Sequence, residues 1–223
     1  MNIVCAMQNT LIQLPETCNS LLFEKVVNDI VEKGYSINPF ALPIELADAL
    51  EMKAKNLSES EFLEAGIGRG DDFVKSEVVR KDEIAWIQRS DDVSNQWLDW
   101  ATQLQAHINQ ELFMGLFSFE SHFAHYRPGD FYKKHLDAFK GERNRVLSLV
   151  VYLNSGWLPK YGGELALYHD EVVVKVTPLK GTVVVFLSEE VPHEVLKAHK
   201  DRYSIAGWFR VNGSVNNVID PPR

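Results

Sequence analysis

An α+β fold, with N-terminal helices bracing a C-terminal β sandwich or jelly roll, follows from a change of character along the chain. Before about residue 115, apolar residues recur at helical spacing in three runs. From about Leu116 the pattern changes to short β runs with no helix between them. Gly129, Gly141, Gly156, Gly162-Gly163 and Gly181 punctuate these runs, as turns in an all-β unit do.

The first helix carries Leu22, Val26, Val27, Ile30 and Val31 on one face, with Ser20 as its expected cap and Gly34 as its stop. Pro43-Ile44-Glu45-Leu46 opens a second, which places Leu46, Leu50 and Ala54 together. A third runs from Val93 to Phe113 through Trp97, Trp100, Leu104 and Ile108. Between the last two, Gly66 to Asp72 has loop composition, and Val78 to Ile87 reads as a strand or hairpin arm. The β runs are Phe117 to Tyr126, Arg145 to Leu153, Glu164 to Tyr168, Val172 to Val176, Thr182 to Leu187 and Arg202 to Val211. The organisation expected is one domain over 1–223. Residues 1–115 form a mainly helical support with an insert at about 66–90, and 116–211 form the β core.

With 223 residues and 45% hydrophobic content, the chain can bury a sizeable core. A net charge of −8 disfavours nucleic acid, which selects a basic footprint. Cys5 and Cys18 are too few for a disulfide framework. The N-terminal segment is a poor signal peptide, and no apolar run reaches membrane-spanning length. The expectation is a cytoplasmic protein with no membrane partner.

The chemistry is carried by His135-Leu136-Asp137, answered by His193. On an extended segment, residues two apart share a face, so His135 and Asp137 can reach one ion with Leu136 turned away. His193 follows the β run ending at Leu187 and can supply a third ligand. Two imidazoles and one carboxylate on one face of a divalent ion form the facial triad of non-haem iron(II) oxygenases; zinc is also compatible with the set. The remaining histidines, 107, 122, 125, 169 and 199, are expected at surfaces or satisfied boundary positions. Arg202 lies nine residues beyond His193, on a run whose alternation puts Arg202, Ser204, Ala206 and Trp208 on one face. Inside a barrel it needs an anion, and a dicarboxylate suits its planar fork; on a strand edge it would face solvent.

Several blocks in order carry a family resemblance. They are Arg-Lys-Asp-Glu-Ile-Ala-Trp-Ile (80 to 87), Tyr-Arg-Pro-Gly-Asp-Phe-Tyr-Lys-Lys-His-Leu-Asp (126 to 137), Tyr-Leu-Asn (152 to 154), Gly-Gly-Glu-Leu (162 to 165), Pro-His-Glu-Val (192 to 195) and Arg-Tyr-Ser-Ile-Ala-Gly-Trp-Phe (202 to 209). From about Arg80 to Phe209 the chain resembles the prolyl hydroxylases of the iron(II) and 2-oxoglutarate-dependent dioxygenase superfamily, the oxygen-sensing branch and its bacterial relatives.

The resemblance implies a double-stranded β-helix with N-terminal helices on its major sheet. It implies Fe(II) on His135, Asp137 and His193, with 2-oxoglutarate and O2 as co-substrates and ascorbate as a candidate reductant. By the same resemblance Arg202 and Tyr152 hold the distal carboxylate of 2-oxoglutarate, and Tyr126 sits near its metal-bound end. Trp208, Tyr132, Asp82 and Arg145 fall on the substrate side, where Asp82 and Arg145 either pair with each other or meet a peptide backbone. Gly66 to Asp72 falls where the family has a substrate-covering loop.

The activity implied is prolyl 4-hydroxylation of a loop proline in a protein or peptide, with a translation component as one candidate partner, and release of succinate and CO2. Two alternatives stand beside it: a hydroxylase of a free amino acid or small metabolite, and a cupin-like sensor of metal and anion. The carboxylate at Asp137 argues against the sensor, since cupins usually supply His-x-His there. It also favours hydroxylation over halogenation.

Overall fold

The computed structural model describes residues 16–58, 60–64, 79–138, 144–211, 214–215 and 218–219. Helix α1, Glu16–Lys33, starts before the expected cap, so Ser20 lies within it. Its buried face is Phe23, Val26, Val27 and Ile30, one residue around from the expected stripe, and Val31 is exposed. Gly34 ends it as expected: at φ +73° it turns the chain while its N–H still reaches Ile30 O. Helix α2, Ile44–Asn56, begins just after Pro43 and buries Leu46, Ala47, Leu50 and Ala54. Helix α3, Asp92–Leu112, is capped by Asp91, whose carboxylate accepts from Ser94 N, and it stops at Phe113 in the left-handed region.

The strands are β1 (Tyr35–Asn38), β2 (Leu63–Glu64), β3 (Glu83–Trp86), β4 (Leu116–Tyr126), β5 (Tyr132–His135), β6 (Arg145–Tyr152), β7 (Leu165–His169), β8 (Val172–Val176), β9 (Val183–Leu187), β10 (His193–Val195), β11 (Arg202–Val211), β12 (Ser214–Val215) and β13 (Val218–Ile219). Seven form a major sheet in the order β1-β9-β6-β11-β4-β3-β2, and four form a minor sheet in the order β5-β10-β7-β8. Their pairings are antiparallel. The fold is a double-stranded β-helix with helices on the major sheet, as the sequence implied.

Two differences stand out. The helical region lends β1 to β3 to the major sheet, so the sheet does not begin at residue 116. The strand expected from Val78 is only β3, shorter by several residues, and Arg80 makes an isolated bridge to Tyr132 before it. Gly66 to Asp72, Val78, Gly141, Cys5 and the last four residues lie outside the described residues.

Strand alternation sorts the core into two clusters. On β6, Leu147, Leu149 and Val151 face the helices, where they join Leu104, Ile108, Trp97 and Trp100. Trp97 and Trp100 are stacked with centroids 5.6 Å apart and are fully buried. Each such side chain contributes roughly 1.5–3 kcal/mol. Tyr152 on the opposite face of β6 packs with Tyr126, Val184, Phe186 and Leu167 between the sheets. The outer cluster joins the helices to the major sheet, and the opposite, inner face of that sheet carries polar residues described below. Among the described residues, no helix is long and apolar enough to cross a membrane.

Candidate metal and co-substrate site

His135 ends β5 and His193 opens β10, and the two are register partners across the minor sheet. Their rings lie 4.2 Å apart. Asp137 stands in a bend just beyond β5, so its carboxylate is brought in by the turn and not by strand alternation alone. His135 Nε2 lies 3.6 Å from Asp137 Oδ1, and His193 Nε2 lies 3.7 Å from Oδ2. These separations exceed a direct hydrogen bond and suit ligands facing a common centre.

Each imidazole is also turned by a second contact. His135 Nδ1 meets Lys133 O at 2.7 Å, and His193 Nδ1 meets Val191 O at 3.1 Å. A carbonyl only accepts, so both Nδ1 atoms carry the proton and both Nε2 lone pairs face the centre. Burial, opposed by Asp137, pushes His193 down to about 4, which keeps it neutral and able to bind a metal. Burial alone would raise Asp137, but His193, His135 and the Ser148 hydrogen bond together hold it well below the usual carboxylate range. The group fits a divalent ion.

Deeper in the fold, Arg202 starts β11 opposite Tyr126. It is 1% exposed, donates from Nε to Gly163 O at 2.8 Å and from Nη1 to Ser204 Oγ at 3.0 Å. Among the described residues no carboxylate pairs with it. Its guanidinium lies 4.8 Å from the Tyr126 ring and 5.1 Å from the Tyr152 ring. Tyr152 Oη is buried and, although it feels the Arg202 charge, has no partner at hydrogen-bond geometry. Burial, opposed by Arg202, pushes Tyr152 up to about 12, and burial also raises Tyr126, so both phenols keep their protons. A buried cation and an orphaned hydroxyl donor fit the distal carboxylate of 2-oxoglutarate.

The remaining candidates are joined to this group through neighbouring side chains. Tyr132 stacks on His135 with centroids 3.6 Å apart. Trp208 is paired in register with Ser148 and lies under Arg145, whose guanidinium is 3.7 Å from the ring. Asp82 and Arg145 do not pair with each other. Asp82 accepts from Arg80 Nε at 2.7 Å, two residues before it in the chain, and Arg145 on β6 donates to Glu120 on β4 at 2.7 Å. The sequence places His122 and His125 at surface or boundary positions, but both are buried. His122 sits between Trp86 and Trp208, and His125 stacks on Tyr203 and bonds Asp201 at 2.8 Å.

Sequence reasoning missed the supporting residues. Ser148 donates to Asp137, Gly163 holds Arg202, and Arg80 holds Asp82. Gly163 was signalled by its glycine pair: it has φ +71°, and a Cβ there would lie 3.0 Å from Arg202 Cδ.

Comparison with known proteins agrees with this geometry. A family model of the 2OG-Fe(II) oxygenase superfamily matches residues 121–210. The chain is similar to a prolyl-4-hydroxylase of Pseudomonas putida, at 41% identity and a TM-score of 0.79, over 86% of this chain and 100% of that one. It is also similar to a prolyl hydroxylase from Trichoplax adhaerens, solved with a peptide fragment of the hypoxia inducible factor oxygen degradation domain. That match has 27% identity and a TM-score of 0.78, over 87% of this chain and 91% of that one. A viral collagen prolyl hydroxylase from Paramecium bursaria Chlorella virus-1 shares the fold at 18% identity and a TM-score of 0.59, over 82% and 98%. The chain belongs to the prolyl hydroxylases of the 2OG-Fe(II) oxygenase superfamily. It is a 2-oxoglutarate-dependent dioxygenase that uses Fe(II), 2-oxoglutarate and O2.

Proposed function

We propose that this enzyme hydroxylates a prolyl residue within a protein or peptide. The prolyl C–H bond, O2 and 2-oxoglutarate give hydroxyprolyl, succinate and CO2, so one oxygen atom enters the substrate and the other enters succinate. Bound iron supplies the oxidising chemistry, and the protein supplies orientation and shielding. His135, Asp137 and His193 hold the ion. Arg202 and Tyr152 grip the distal carboxylate, and Tyr126 closes the wall beside the metal-bound end.

The observation that carries the choice of substrate is that the two cations described over Tyr132 and Trp208 are both paired. Free proline is a zwitterion, and its carboxylate needs a counter-cation when drawn from water. Arg80 is engaged by Asp82 and Arg145 by Glu120. A peptidyl proline is uncharged and asks instead for apolar walls and a donor for its carbonyl. Tyr132 and Trp208 supply the walls, and Trp208 Nε1 is buried without an acceptor. The likeness to two prolyl hydroxylases, one of them solved with a peptide, supports the same reading. The test measures succinate release with proline-containing peptides and with free proline as competing substrates. Peptide-dependent release is expected, and release driven only by free proline would replace this reading with a small-metabolite hydroxylase.

A further inference from the structure

Asp137 differs from the two histidines in how it is held. It lies outside the strand ladder, and both imidazoles are too distant to hydrogen-bond it. What reaches it is Ser148 on β6, whose Oγ donates to Oδ2 at 2.6 Å. Ser148 Oγ also lies 2.9 Å from Ser188 Oγ, just past β9. Ser148 is 1% exposed and Ser188 is fully buried.

Direction in this row follows from proton inventory. An ionised carboxylate only accepts, so the single Ser148 proton goes to Asp137. Ser148 Oγ must then accept from Ser188. The order Ser188 to Ser148 to Asp137 is therefore fixed, and the row ends on one carboxylate oxygen, Oδ2. Oδ2, 3.7 Å from His193 Nε2, gives a lone pair to Ser148, whereas Oδ1, 3.6 Å from His135 Nε2, takes no hydrogen bond among the described residues. We propose that Ser148, backed by Ser188, is a positioning residue that limits Asp137 to one-oxygen coordination of iron. A two-oxygen carboxylate would take a position that 2-oxoglutarate or O2 needs.

This inference rests on His135, Asp137 and His193 being the ligands, and the test separates the two. Metal-free, full-length wild type, S148A, S148T, S188A and D137A are titrated anaerobically with Mn(II), and bound Mn(II) is examined by paramagnetic resonance. Outer-shell losses typically weaken binding about 10- to 100-fold, and S148A is expected in that range with an altered Mn(II) spectrum. S148T, which keeps the hydroxyl, should recover both, and S188A should fall between. Thermal melts of the metal-free proteins check the fold; where S148A fails to fold, the S188A titration decides. Unchanged affinity in D137A overturns the ligand assignment itself. Loss in D137A with wild-type affinity and spectrum in S148A, or in S188A where it decides, overturns the positioning role alone.

Discussion

At the residue scale, Arg202 is the group whose state depends most on what binds. Buried with no carboxylate among the described residues, it is a cation waiting for an anion, and the protein tolerates it because Gly163 O and Ser204 share its protons. Replacing it by Met should remove about 2–5 kcal/mol of 2-oxoglutarate binding, the usual cost of truncating one side of a buried charged pair. Lysine should rescue little, since it lacks the planar fork. Titration of 2-oxoglutarate into the anaerobic Fe(II) protein checks this, and wild-type affinity in Arg202→Met would remove the assignment. His135, Asp137, His193 and Arg202 were readable in the sequence because ligand type and alternation are local properties. Ser148 is put on the face of Tyr152 by strand alternation on β6, which says no more. Its bond to Asp137 depends on how β6 meets the bend after β5, which no spacing rule encodes.

Elements set these residues in place, and two of them make testable claims. Gly163 precedes β7 at a backbone angle side chains avoid, against Arg202. Gly163→Ala should therefore strain the turn and displace the guanidinium, weakening 2-oxoglutarate binding more than metal binding; equal loss of both would point to general unfolding. Helix α2 is tied to the loop after β6 by Glu51, which accepts from Ser155 Oγ at 2.6 Å and from Lys55. Burial by itself would raise Glu51, but the bonds from Lys55 and Ser155 bring it down from 4.5 to about 2. A depressed folded-state pKa gives stability that is complete above about pH 4.5 and is lost as pH falls toward 2. Thermal midpoints of Glu51→Gln should fall less steeply than wild type across that window, and parallel curves would contradict the tie. The long strands β4, β6 and β11 were legible from alternation. The short strands β1 and β10 were not, because four and three residues carry too little pattern, and partner strands decide them.

For the whole molecule, two separate cores divide the labour. The helix-facing core packs the helices on the major sheet, and the inner core lies beside the residues proposed to hold metal and 2-oxoglutarate. Binding there should stabilise the fold by linkage. A hundredfold excess of 2-oxoglutarate over its Kd, with metal bound, adds about 2.7 kcal/mol. The thermal midpoint should rise accordingly and fall back on chelation; a midpoint indifferent to both would mean that the site binds neither. The sandwich was legible from the change of period near Leu116. The contribution of β1 to β3 was not, because their pairing is long-range.

The most direct test of the central claim is mass spectrometry of cell-lysate proteins incubated with enzyme, Fe(II), 2-oxoglutarate and isotopically heavy O2. The account predicts one heavy oxygen on a proline of at least one protein, absent with Asp137→Ala. Heavy oxygen found only on free amino acids or small metabolites would contradict it.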